Sequence, residues 1–67
     1  MKPWIIIAPR DMALLTPDAL ARLFPIFRIN GLTVYRERAA EGCTIARGDR
    51  IVAFASDAFI ACWHTRQ

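Results

Sequence analysis

Little in this sequence points to catalytic chemistry. Its two cysteines, Cys43 and Cys62, are too few for a secreted disulfide framework. The three glycines stand far apart, so they build no phosphate-cradling loop. No apolar run approaches the ~20 residues of a membrane-spanning helix, and the run near the start, WIIIA at 4–8, is far shorter. The opening MKPW offers no signal-peptide pattern, so a cytoplasmic chain with free thiols and no membrane partner is expected. Cys43, Cys62 and His64 are at most three soft ligands, where a structural zinc site needs four with paired spacing. Ser56, Asp57 and His64 could be drawn as a triad, but Ser56 and Asp57 are better explained as helix-start residues. No oxyanion glycine motif accompanies them. No metal, no cofactor and no enzymatic activity are therefore expected.

What is present is apolar material and arginine. Hydrophobic residues make up 55% of 67 residues, enough for one compact domain spanning 1–67 and too much for a disordered chain. The formal charge is +3, and arginine supplies all but one of the nine bases. A mild basic excess favours an anionic partner, and arginine suits phosphate and guanine better than lysine does. Between residues 28 and 50 there are five arginines (28, 36, 38, 47, 50) against three acids (37, 41, 49). This segment therefore contributes +2 of the +3.

Along the chain, the β-branched run PWIIIAP reads as a short strand whose prolines suggest an edge or a strand end. LTPDALARLF has helix-start chemistry: Thr16 as cap, Pro17 in the first turn, and Asp18 at the positive end of the dipole. Leu20, Leu23 and Phe24 then share one helical face, and Pro25 ends the helix. PIFRI reads as a connector. Asn30-Gly31 is either a hairpin turn or a helix start. The following GLTVYRERAAE, closed by Gly42, favours helix, because RERAAE is poor strand material. CTIARGDRIVAFA is a hairpin about a Gly-Asp turn. SDAFIACWHTR is a closing helix with Ser56 as cap and Phe59, Ile60 and Trp63 facing the core. The resulting order is strand, two helices, hairpin, helix: an α+β winged helix-turn-helix.

In this order the stretches LTPDALARLF, TVYRERAAEG, IARGDRIVAF and SDAFIACW, spanning residues 15–63, resemble the small winged helix-turn-helix domains of phage excisionases, related to the MerR group. The connector PIFRINGL is about three residues longer than a tight helix-turn-helix needs. Arg38 falls where that family carries an apolar residue. The resemblance implies a non-catalytic DNA-binding protein. Such a protein bends attachment-site DNA, directs an integrase towards excision, represses promoters in some cases, and associates with further copies along the site. Its DNA contacts would come from Arg28, Asn30, Thr33, Arg36 and Arg38 on or beside the recognition helix, and from Arg47 and Arg50 on the wing. Arg36 and Arg38 could equally solvate an exposed helix face, and Arg47 and Arg50 could be ordinary turn residues. Tyr35 is expected in the core, while Trp4 could cover the strand or form a contact surface.

A second class is a protein-binding α+β module. In that version LTVYRE, TIAR and RIVAFA, with FIACWHT a further candidate, are successive strands of a meander. WIIIA is then an edge that pairs with a partner or a second copy. The two classes part at residues 32–41, which are helical in the first and extended in the second.

Overall fold

The computed structural model describes residues 2–8, 14–38 and 41–66. In chain order the elements are β1 (Ile5–Ile7), α1 (Pro17–Ala21), β2 (Leu23–Ile29), β3 (Leu32–Glu37), β4 (Cys43–Arg47), β5 (Arg50–Ala55) and α2 (Asp57–Arg66). The five strands form one antiparallel sheet in the order β1-β5-β4-β3-β2. Strands β2 to β5 are a simple meander, and β1 returns to pair with β5.

This overturns the winged helix-turn-helix. The expected recognition helix is β3, and the expected connector PIFRI is most of β2. The local cause is the Asn30-Gly31 pair. Both residues take positive φ, 49° and 78°. Two successive left-handed residues form the type I′ turn whose twist matches a two-residue hairpin. The turn joins Ile29 directly to its partner Leu32. The tertiary cause is burial on both sides. As a helix, residues 32–41 hide one stripe, Leu32, Tyr35 and Ala39. As a strand, they place Leu32 and Val34 on one face and Thr33 and Tyr35 on the other, and both faces have something to pack against.

The first expected helix is shorter than its sequence suggested. Thr16 caps it as anticipated, its Oγ1 accepting the Ala19 N–H at 3.2 Å. The helix stops at Ala21, however, and Leu23 and Phe24 enter β2. Pro25 then sits inside an edge strand, a position where a missing N–H is tolerated. The register slips at Ile26, between Pro25 opposite Tyr35 and Phe27 opposite Val34, which is a β-bulge.

The hairpin about Gly48-Asp49 and the closing helix stand where the sequence put them. Gly48 has the positive φ, 62°, required at the first central position of a type II′ turn. Ser56 caps α2, its Oγ accepting the Phe59 N–H at 3.1 Å. A second slip, beside Val52, separates the pair Ile45–Ala53 from Ala46–Ile51.

The core has two parts because the sheet has two faces. On one face α2 lies over Val34, Cys43, Ile45, Ala53 and Ala55 through Ile60, with Phe59 and Trp63 beside it. The small side chains of Ala53 and Ala55 leave room for the helix. Phe27 extends this layer, its ring 6.1 Å from Trp63 and 4.6 Å from His64 between centroids. On the other face Leu15 and Ala19 cover Leu23, Ala46, Tyr35 and Ile51.

Two substitutions test this packing. Val34 is completely buried. Val34→Ala is expected to lower unfolding free energy by about 2 kcal/mol in urea melts, a large loss for so small a domain. Gly42 has φ 100°, and a Cβ there would lie 3.1 Å from the Ala55 carbonyl oxygen. Gly42→Ala is expected to cost on the order of 1–3 kcal/mol, while Gly31→Ala, with open space around it, meets only backbone strain.

Candidate functional site

The structure divides the seven expected DNA contacts into separate groups. Arg28, Asn30 and Thr33 do come together. With Tyr35, Gly31 and Gly48 they line an open polar cleft of about 470 Å³ at the end of the sheet where the β2–β3 and β4–β5 turns lie side by side. Arg47 and Arg50 oppose each other across the second of these turns, both exposed. Arg36 and Arg38 are at the opposite end of β3 and are otherwise engaged. The Arg36 guanidinium is 3.4 Å from Asp57 Oδ1, at the start of α2, with both side chains a little under half exposed. Such an ion pair contributes at most about 1 kcal/mol, but it directs Arg36 toward α2. Arg38 follows β3 rather than lying within a helix, and its guanidinium sits over the Phe24 ring, 5.8 Å from the centroid. No shared surface carries all seven residues.

Cys43 is buried, and its Sγ donates to Asp57 Oδ1 at 3.6 Å. Burial is the main force pushing this thiol's pKa up, and the Asp57 carboxylate adds to it through the hydrogen bond and through its charge. Cys43 is therefore a protonated core residue rather than a nucleophile. Cys62 is exposed on α2. His64 packs on Phe27, and Ser56 is engaged as a cap.

The surface that sequence reasoning noticed only as an alternative is β1. Among the described residues it forms one edge of the sheet, and Ile5, Ile6 and Ile7 are 41%, 58% and 71% exposed. Its backbone polarity follows from its bonds to β5. The Trp4 carbonyl accepts the Ser56 N–H at 3.0 Å, the Trp4 N–H donates to Ser56 Oγ at 3.0 Å, and the Ala8 N–H donates to the Val52 carbonyl at 3.0 Å. In an antiparallel ladder, inward and outward residues alternate. Trp4, Ile6 and Ala8 therefore turn toward β5, and the N–H and C=O of Ile5 and Ile7 turn toward the open side.

The side chains alternate as well. Ile5 and Ile7 lie on the α2 face, where they form one wall of an apolar groove of about 410 Å³. Leu32, Val52, Phe59 and Trp63 are among the residues that line the rest, and among the described residues Arg47 is the one charged lining residue. Ile6 lies on the other face beside its partner Phe54, which is 39% exposed. The edge and groove thus form one continuous apolar surface. The isoleucine run itself was legible. The groove was not, because Phe59 and Trp63 are spaced like any core-facing helical pair.

The other edge, β2, is built differently. Pro25 removes a donor, the bulge at Ile26 breaks the ladder, and Arg28 is exposed beside it. These are the devices by which sheets prevent pairing at an edge.

No family model, curated protein or solved structure matches this chain.

The thiol assignments give a direct check. A disulfide reagent at neutral pH is expected to modify Cys62 in the folded protein, with Cys43 reacting only after denaturation. Equal rates at both cysteines would contradict the buried, protonated state of Cys43.

Proposed function

We propose that this chain is a small protein-binding module that takes up an extended apolar segment along the free edge of β1. The observation that carries the proposal is the contrast between the two edges. β2 is guarded, whereas β1 presents outward-turned N–H and C=O groups from Ile5 and Ile7 beside largely exposed isoleucines. An added strand gains main-chain hydrogen bonds, each worth about 0.5–1.5 kcal/mol net. Its alternate side chains drop onto the rim of the apolar groove, so binding is selective for aliphatic residues at every second position.

DNA contact now has less to support it. The segment meant to enter a groove is a strand, Arg36 is paired with Asp57, and Arg38 lies on Phe24. Arg28, Arg47 and Arg50 remain at the turn end, without a helix to place them in a major groove. Double-stranded DNA, an integrase and side-by-side assembly along a site are accordingly set below the edge reading.

Amide NMR tests the proposal. A capped peptide of alternating valine and threonine, added to labelled protein, is expected to shift the Ile5 and Ile7 amides and slow their solvent exchange. Ile7→Lys, at a largely exposed site, is expected to remove the response without unfolding the chain. Silence at Ile5 and Ile7 would overturn the edge reading. A steeply salt-dependent gel shift that responds to Arg28, Arg47 and Arg50 would favour DNA instead.

A further inference from the structure

We infer that the strand β1 is built to accept is β1 of a second copy of this chain, giving a two-fold symmetric dimer with a continuous sheet. This rests on the edge reading above and names its partner. The first ground is the position of the donors. Ile5 and Ile7 are the residues whose N–H groups turn outward, and Pro3, at the preceding outward-parity position, has no N–H to offer. These two donors are symmetric about Ile6. Two antiparallel copies of β1 centred on Ile6 bring Ile5 of each opposite Ile7 of the other. Each such pair exchanges both of its N–H···O bonds, and the two Ile6 residues form the close, non-hydrogen-bonded pair on the two-fold axis.

The second ground is side-chain matching. In this register every isoleucine of β1 meets an isoleucine. On the α2 face, Ile5 and Ile7 of the two copies form one aliphatic patch that joins both apolar grooves end to end. On the other face, Phe54 and Ile6 of one copy continue into Ile6 and Phe54 of the next. No residue of Trp4–Ala8 carries a charge, so like copies meet without the repulsion that a charged edge would impose.

The third ground is area and closure. Complete burial of the exposed parts of Ile5, Ile6, Ile7, Trp4 and Phe54 in both copies sets an upper limit on the order of 900 Å² for the surface removed. This lies just below the ~1,000 Å² of a specific interface and suits a reversible, micromolar dimer. The guarded β2 edge stops further addition, so the assembly closes at two chains rather than growing into a filament.

Sedimentation over about 1 µM to 1 mM chain tests this. The expected result is a monomer–dimer equilibrium with a midpoint on the order of 10–100 µM. Because residue 6 meets itself across the axis, Ile6→Lys and Ile6→Glu are each expected to weaken the dimer at least roughly tenfold. An equimolar mixture of the two variants is expected to restore it as a heterodimer. A monomer throughout the range, a dimer indifferent to Ile6→Lys, or a mixture that stays monomeric would each overturn the assignment. Circular dichroism checks that both variants keep the wild-type spectrum. Should they unfold, Ile7→Lys and Ile7→Glu replace them: each is expected to weaken the dimer, and a dimer unaffected by both overturns it. The peptide titration separates the two levels. Ile5 and Ile7 shifts with the peptide, in a chain that stays monomeric, leave the edge reading standing and remove the second copy alone. Silence in both experiments removes the edge itself.

Discussion

A five-stranded sheet has two faces and two edges, and 67 residues cannot cover all of them. That shortage organises the molecule. Among the described residues two short helices are the available cover: α2 lies over the middle of one face, and on the other Leu15, just before α1, joins Ala19 in covering Leu23, Ala46, Tyr35 and Ile51. Residues 43–46 of β4 are buried throughout, whereas the peripheral strand β1 is exposed along its whole length. Burial of apolar area drives folding roughly in proportion to the area removed from water. The chain therefore spends its helices where both faces of a strand can be hidden together, and its rim remains open.

The open rim is not uniform, and function is read from that asymmetry. At β2 a proline, a bulge and an arginine make pairing unfavourable. At β1 three consecutive isoleucines do the opposite. An edge of three residues bounded by prolines is too short to template open-ended aggregation. It is long enough to register one strand, and the adjoining groove adds apolar area that the strand alone lacks.

The arginines show how a charge pattern misleads when it is read in one dimension. Five of them crowd residues 28–50, and the helical reading set Arg36 and Arg38 beside a DNA groove about one turn after Asn30 and Thr33. On a meander, residues close in sequence separate toward opposite ends of the sheet. Arg28 goes to the turn end with Arg47 and Arg50, while Arg36 reaches the first turn of α2 and Asp57. Attraction to one carboxylate and to the face of Phe24 thus occupies two of the residues that composition had offered to DNA.

Local chemistry was enough to determine the elements whose signals lie within a few residues: the β-branched run at 5–7, the Gly48-Asp49 hairpin, and the caps at Thr16 and Ser56. The Asn30-Gly31 turn was equally legible, since only residues tolerant of positive φ suit it, but the helix-forming RERAAE that follows outweighed it. PIFRI was missed because a proline inside a strand is admissible only at an edge, and edges exist only once the sheet is assembled. The same holds for the candidate site. The apolarity of Ile5–Ile7 is a property of the sequence. Which backbone groups point outward, which side chains join the groove, and which edge stays open were decided by the pairing of β1 with β5 and the placement of α2, because long-range burial outweighs helix propensities of less than about 1 kcal/mol per residue.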